Sequence, residues 1–229
     1  MSKPLFAPYR HWLLASYLVL LSACSLTPDV IPSGQQALIA NGDIQHWQVS
    51  GKIGWRHGSN AESAYLNWSQ CGDHYEIRLS GPLGQGAAKL YGNSQQAYLQ
   101  TGDGQVLSAG SPEQLLFQKL GWSLPLSPLK FWLRGIPSPR FAFQPNPEGY
   151  DFQQQQWQLN FLRFTEVEHY QLPSKLKAQH LNPEQFSTGA SPLTVTLIIK
   201  DWQLPKQCQP REITQDKTND PIQQPTPAL

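Results

Sequence analysis

Apolar and polar residues alternate in the first half of the chain. Trp47, Val49, Ile53 and Trp55 share one face of the first such stretch, while polar residues take the other face. A period of two residues is that of a strand with one buried face. Shorter runs repeat it over residues 64–68, 75–79, 88–91, 97–101 and 106–109. Turn residues rich in glycine separate these runs, so the pattern predicts an antiparallel meander.

Two segments in the middle of the chain change to helical spacing. The first runs from Ser111-Pro112 to Gly121, and the second from Ser127-Pro128 to Gly135. Serine as N-cap, proline at the first helical position and glycine just past the end form a helix signature. Strands are expected again over residues 140–143, 150–153, 156–164 and 193–202. The whole pattern predicts a mainly β fold with two short apolar helices inserted into it.

The N-terminus has the features of an export signal. Lys3 and Arg10 precede an apolar stretch of about ten residues, which is too short to span a bilayer as a helix because that needs about 20. Small residues then lead to Cys24. We therefore expect a signal peptide over 1–23, a flexible tether over 24–43 and a folded domain over 44–204. A disordered Pro/Gln-rich tail is expected over 205–229.

Charge and cysteine content narrow the function classes. Without Lys3 and Arg10, the chain keeps 15 of its 17 basic side chains against 16 acidic ones. No basic stripe is present, which argues against nucleic acid as a partner. Cys71 and Cys208 could pair in an oxidising compartment. Cys208 falls in the expected tail, so the sequence leaves both the paired and the unpaired state open.

The sequence lacks the common motifs of catalytic sites. The glycines between Gly81 and Gly86 have phosphate-loop spacing, but Ala87 and Ala88 stand where Lys and Ser or Thr belong. The chain has no G-x-S-x-G, no H-E-x-x-H and no His/Cys cluster with metal spacing. We therefore expect neither an enzyme nor a bound cofactor or metal.

The high content of aromatic residues, 11% of the chain, admits two interpretations. They fill a core, or they line an apolar pocket between the sheet and the two helices. The residues that would line such a pocket lie on the apolar strand faces and the helical stripes. They are Trp47, Val49, Trp55, Leu66, Trp68, Ile77, Leu79, Leu116, Trp132, Leu133, Trp157 and Leu197.

Several segments together resemble one family. They are the tetrapeptide ending at Cys24, "WQVSGKIGWR" (47–56), "LSGPLGQGAAKL" (79–90), "LGWSLPLSPLKFWLRGIPSP" (120–139) and "LIIKDWQL" (197–204). They resemble the LolB family of outer-membrane lipoprotein receptors. The resemblance implies an incomplete antiparallel β-barrel with helices as a lid over a hydrophobic cavity. That cavity would take the acyl chains of triacylated lipoproteins from the periplasmic carrier LolA and pass them to outer-membrane lipid.

The resemblance also implies where the chain is held. Leu21-Ser22-Ala23-Cys24 resembles the bacterial lipobox, which implies that Cys24 is acylated and becomes the N-terminus. Three acyl chains make a stable anchor. Ser25, in place of an aspartate, favours the outer membrane, with a monomeric domain facing the periplasm. A plain secretory signal with an incidental cysteine is the alternative.

One turn places an apolar side chain where polar residues are usual. Pro82, Leu83 and Gly84 form the tip between two strands. The resemblance implies that Leu83 projects into the membrane and helps release the acyl chains there. The alternative is that Leu83 folds back onto the sheet. For the protein as a whole, the alternative is a lipid-anchored structural or assembly subunit with no ligand cavity.

Overall fold

The computed structural model describes residues 38–81, 86–120, 124–147, 149–182 and 192–209. The chain divides into two units between Ile31 and Pro32, and every described residue belongs to the second unit. The expected signal peptide, Cys24, the tip at Pro82, Leu83 and Gly84, and the tail beyond residue 209 lie outside the described residues.

The described chain folds into eleven strands and two short helices. The helices are α1 (Pro112–Leu120) and α2 (Leu126–Trp132), and a 3-10 turn precedes the first strand at Ile39–Asp43. The strands are β1 (His46–His57), β2 (Asn60–Cys71), β3 (His74–Ser80), β4 (Ala88–Gly92), β5 (Ala97–Thr101), β6 (Val106–Ala109), β7 (Phe143–Pro145), β8 (Phe152–Gln154), β9 (Trp157–Val167), β10 (Tyr170–His180) and β11 (Thr194–Gln203).

All eleven strands form one antiparallel sheet. Their order is β6-β5-β4-β3-β2-β1-β11-β10-β9-β8-β7, so β6 and β7 are its edges and the sheet is not closed into a barrel. Strand β1 lies at the centre and joins the two halves by pairing with β2 and β11. The prediction of a mainly β, incomplete antiparallel barrel with short helices is confirmed.

Register places the apolar residues in rows across the sheet. Residues directly opposite each other in antiparallel strands share a face. One row runs over seven strands: Trp202, Val49, Trp68, Ile77, Leu90, Leu99 and Leu107. Gly51 stands in the next row at a β-bulge, where a Cβ would overlap the carbonyl oxygen of Ile198. We call the face that carries these rows the inner face, since α1 and α2 pack their apolar residues into the same core.

Three strand and helix predictions need correction. β10 was not predicted, because Pro173 interrupts its alternation, yet the strand accommodates this proline at an irregular register against β9. The strand expected over 140–143 lies at Phe143–Pro145. α2 begins at Leu126 rather than after Ser127, and its N-cap residue Pro125 makes no side-chain cap bond.

Described residues lie on both sides of residues 44–204. At the N-terminal side, Leu38 and Asn41 are both only 1% exposed. Leu38 lies beside Gly135, and the Asn41 amide donates to two backbone carbonyls, those of Arg134 and Gln171. At the C-terminal side, the described chain continues to Gln209.

A disulfide holds the C-terminal end of the domain. It joins Cys71, at the end of β2, to Cys208, with 5.9 Å between the two Cα atoms. The sequence separation is 137 residues. In the chain-entropy account, closing a loop of that length stabilises the fold by about 5 kcal/mol. The bond therefore fixes residues 204–209 beside the first hairpin.

Candidate functional site

The twelve residues that the sequence proposed as pocket lining all lie in the apolar interior or pack against it. Ten are buried, and Trp55 and Leu79 are half-buried. The structure thus brings together residues from β1, β2, β3, β9, β11 and both helices on one side of the sheet.

Three tryptophans close one end of the inner face. The ring of Trp47 lies 5.3 Å from that of Trp68 and 5.7 Å from that of Trp202. The indole of Trp68 donates to Gln70 Oε1 at 3.0 Å, and that of Trp202 donates to the carbonyl of Pro173 at 3.0 Å. With the three rings packed and the indole N–H groups of Trp68 and Trp202 paired, this end has the character of a solid core.

The opposite end of the same strands is more open. Trp55 lies eight residues along β1 from Trp47, about 26 Å at strand rise. Trp55, Ala64, Leu79 and Ala88 face inward there, and each is half-buried while packing on the core. We call these four residues the rim. Leu79 and Ala88 pair across β3 and β4, the two strands that flank residues 82–85 in the sequence.

α1 covers the inner face with one side only. Leu115 is fully buried and Leu116 nearly so, whereas Phe117 is 61% exposed. The Ser111 hydroxyl accepts from the backbone N–H of Gln114 at 3.2 Å, which confirms the expected N-cap. The carboxylate of Glu113 accepts from the backbone N–H of Ser127 at 2.8 Å. A carboxylate in this position is attracted by the partial positive charge at the N-terminal ends of both helices.

α2 is fixed from the side of β8. Trp132 is fully buried, and its indole N–H donates to Gln154 Oε1 at 2.8 Å. The same oxygen accepts from the backbone N–H of Ser138, while Gln154 Nε2 donates to the carbonyls of Ser138 and Phe141. One buried amide therefore holds the helix and the loop after it on the sheet.

A buried cation fixes the other end of α2. Arg134 is 5% exposed, and its guanidinium donates to the carbonyls of Asn41 at 3.1 Å and Ile44 at 2.7 Å. Burial lowers the pKa of Arg134 to about 10, so the group stays charged at neutral pH. Asn41 donates back to the Arg134 carbonyl at 2.7 Å. These bonds tie the 3-10 turn to the C-terminal end of α2, where a cation is favoured.

The chain reverses after α2 at Gly135, which has a φ of 79°. Its backbone N–H donates to the carbonyl of Trp132 at 2.9 Å, as in a helix C-cap. A Cβ at this position would lie 3.0 Å from a methyl carbon of Leu38 and 3.3 Å from Pro173. Both the backbone conformation and the close packing therefore require glycine here.

A tyrosine places a polar group among the apolar residues near α1. The hydroxyl of Tyr75 is buried and has no hydrogen-bond partner among the described residues. Burial, and to a lesser extent the Glu113 carboxylate, raises the pKa of Tyr75 above its usual value. The phenol therefore stays neutral at every physiological pH.

Two features predicted from the sequence, Cys24 and the tip at Leu83, lie outside the described residues. Their roles therefore stay predictions. Within the described part of the chain, no helix is long and apolar enough to cross a membrane.

Comparison with known sequences gives the family. A family model described as "Outer membrane lipoprotein LolB" matches residues 45–202, which is most of the folded domain. The chain belongs to the LolB family. A relative from Pseudomonas paraeruginosa (strain DSM 24068 / PA7), named "Outer-membrane lipoprotein LolB", is 38% identical over 212 residues. The match covers 85% of this chain and 96% of that relative. A relative of the same name from Pseudomonas putida (strain W619) is 35% identical over 211 residues.

A comparison with solved structures matches a protein from Nitrosomonas europaea that is described as a LolA superfamily protein. Its sequence is 8% identical, its TM-score is 0.47, and the match covers 76% of this chain and 95% of that one.

In this LolB chain, sequence reasoning missed the polar residues that organise the site. Gln154 lies in a run of four glutamines, and Arg134 and Asn41 lie at the edges of predicted elements. No local pattern distinguishes them from solvent-exposed residues, because most of their hydrogen-bond partners are 13 to 130 residues away in sequence. What the arrangement offers is an apolar face with a fixed helix, a one-sided helix and a half-buried rim.

Proposed function

We propose that this LolB chain is an outer-membrane-anchored receptor that accepts acylated lipoproteins from LolA and inserts them into the outer membrane. The acyl chains would enter a hydrophobic cavity between the inner face and α1. The observation that carries the proposal is the half-buried apolar rim at one end of the inner face, in a member of a family whose relatives are named outer-membrane lipoproteins.

The energetics of acyl chains in water support a route from cavity to cavity. Two long acyl chains expose about 30 methylenes, which costs roughly 25 kcal/mol in water. Passing them directly from one apolar site to another cancels most of this cost. A modest difference in affinity is then sufficient, and no nucleotide needs to be hydrolysed.

The two helices are suited to different roles in such a transfer. α2 is held at its C-terminal end by two hydrogen bonds. The Trp132 indole donates to Gln154 of β8, and the Arg134 guanidinium donates to the Ile44 carbonyl before β1. α1 has apolar contacts on one side and one hydrogen bond to α2, which the backbone N–H of Ser127 donates to the Glu113 carboxylate. A movement that admits acyl chains would therefore be one of α1, with α2 as the fixed part.

The anchor and the delivery step complete the proposal. Cys24 would carry the acyl chains that hold the domain at the outer membrane, with the folded part in the periplasm. Leu83, which lies in the sequence between β3 and β4, would enter the bilayer and help release the cargo.

The edge strand β6 offers a matched pair of variants for the test. Leu107 faces inward and is half-buried, whereas its neighbour Val106 faces outward and is 48% exposed. Leu107→Asp places a charge beside the proposed cavity, and Val106→Asp places the same charge on the outer face. We expect Leu107→Asp to lower lipoprotein uptake from LolA at least about tenfold, because a carboxylate disfavours acyl chains beside it. Val106→Asp should leave uptake unchanged.

Uptake is measured as the fraction of radiolabelled lipoprotein moved from LolA to the receptor, with circular dichroism to verify folding of both variants. Equal uptake by the two folded variants would show that the acyl chains do not lie on the inner face. The protein would then be better described as a lipid-anchored assembly subunit.

A further inference from the structure

A cluster of side chains that can bind a metal lies away from the rim, at the end of the sheet that carries Trp47, Trp68 and Trp202. The imidazole Nδ1 of His46 lies 3.0 Å from Cys208 Sγ, and Cys208 is bonded to Cys71. The three candidate ligand atoms all lie within 4.8 Å of one another. All three residues are half-buried, so they are accessible from solvent.

The sheet register explains how these residues meet. His46 on β1 pairs directly with Cys71 on β2, so both project from the outer face. On the other side, Cys71 pairs with His74 of β3. Cys208 reaches the same place from the segment that follows β11. Two cysteine sulfurs, joined as a disulfide, and two imidazoles of the described chain therefore share one small region of the outer face.

We propose that reduction of the Cys71–Cys208 disulfide converts this cluster into a binding site for a zinc ion. A dithiol reductant would supply two electrons and two protons, becoming a disulfide itself and leaving Cys71 and Cys208 as thiols. Zinc binding then releases both thiol protons, and the two thiolates and His46 Nδ1 coordinate the metal. The fourth tetrahedral position is taken by water or by His74.

The geometry and the chemistry both suit zinc. Zinc prefers thiolate sulfur and imidazole nitrogen in a tetrahedral set. A Cα separation of 5.9 Å lets two cysteines bind one ion once the disulfide is broken and their sulfur atoms move apart to about 3.8 Å, the separation of two sulfurs on a tetrahedral zinc. Two thiolates neutralise the charge of Zn²⁺. The consequence is that the C-terminal segment is held in place in either redox state, by a covalent bond or by a metal.

The test uses the full chain with Cys24→Ser, which leaves Cys71 and Cys208 as its only cysteines. The chain is reduced with a phosphine under anaerobic conditions and titrated with Co²⁺ and then with Zn²⁺. We expect one metal ion per reduced chain, a thiolate-to-cobalt charge-transfer band, and no such band in the oxidised chain. Zinc should also raise the melting temperature of the reduced chain.

Histidine variants identify the nitrogen ligands. His46→Ala should weaken zinc binding by more than about tenfold, since loss of even an outer-shell partner has that effect. His57→Ala, at the other end of β1, is the matched control and should bind zinc as the unsubstituted chain does. His74→Ala separates the two possibilities for the fourth position: weaker binding assigns it to His74, and unchanged binding assigns it to water.

Three results would overturn the proposal. They are equal zinc binding by the oxidised and reduced chains, equal binding by the His46 and His57 variants, and absence of the charge-transfer band. If reduction unfolds the chain, zinc should restore the near-ultraviolet circular dichroism of the tryptophans, and failure to restore it would also exclude the site.

Discussion

Replacement of Gln154 tests whether α2 is a fixed part of the site. Gln154 is 2% exposed and its amide makes four hydrogen bonds, to the Trp132 indole, to both backbone groups of Ser138 and to the Phe141 carbonyl. Gln154→Ala removes all four bonds and leaves the four partner groups without this amide. Gln153→Ala is the matched control, because Gln153 is the same residue type, lies next to it on β8 and is exposed.

The magnitude follows from these bonds. Each intramolecular hydrogen bond contributes about 1 kcal/mol net, and a partner left buried and unpaired costs about 1–3 kcal/mol. Water can reach some of the freed groups because Phe141 is 37% exposed. We therefore expect Gln154→Ala to lower the free energy of unfolding by about 4 kcal/mol. Gln153→Ala should change it by less than about 0.5 kcal/mol.

The assay is urea unfolding followed by tryptophan fluorescence, with the disulfide intact. The Trp132 indole N–H, assigned in a proton–nitrogen spectrum, should shift in the Gln154 variant and stay in place in the Gln153 variant. A loss below about 1 kcal/mol for Gln154→Ala would refute the reasoning, since a single net hydrogen bond is worth that much. So would equal losses for the two variants.

Three further predictions follow from single residues. Gly135→Ala should destabilise the fold by about 1–3 kcal/mol, because Gly135 has a positive φ and is closely packed. Gly42→Ala is the control and should not destabilise the fold, because the space around Gly42 is open. Thermal unfolding of the two variants compares them. Tyr75→Phe should leave stability at pH 7 unchanged or about 1 kcal/mol higher. The unsubstituted chain should lose stability above pH 10.0, because the unfolded chain releases the phenolic proton there while the folded chain, in which the pKa of Tyr75 is raised, retains it. Tyr75→Phe should remove this loss. Urea titrations at several pH values test this, and an identical alkaline loss in the variant would contradict it. Leu83→Asp should preserve folding and lipoprotein uptake while lowering delivery to outer-membrane vesicles, and an equal fall in uptake would place Leu83 in the core or the cavity instead.

The strands of the first half of the sheet could be predicted from the sequence because burial of one face leaves a two-residue period. β1 is the clearest example, with Trp47, Val49, Ile53 and Trp55 inward as expected. β10 could not be found this way, because Pro173 interrupts the pattern and proline is usually confined to edge strands or bulges of a sheet. Its place in the sheet depends on pairing with β9 and β11.

The polar residues of the site could not be predicted for a different reason. Arg134 and Gln154 become buried only when segments distant in sequence pack together, and a charged or amide residue is exposed far more often than buried. The sequence leaves the pairing of Cys71 and Cys208 open for a similar reason, since Cys208 falls in a segment with little apolar character. Its partner lies 137 residues away, beside His46.

A native mass spectrum tests the central claim most directly. The mature domain, with Cys24 replaced, is mixed with a triacylated lipoprotein supplied on LolA. The account predicts a one-to-one complex of the domain with the acylated lipoprotein and none with its deacylated form. No complex with a domain shown to be folded, or equal binding of the acylated and deacylated forms, would contradict an acyl-binding cavity on the inner face.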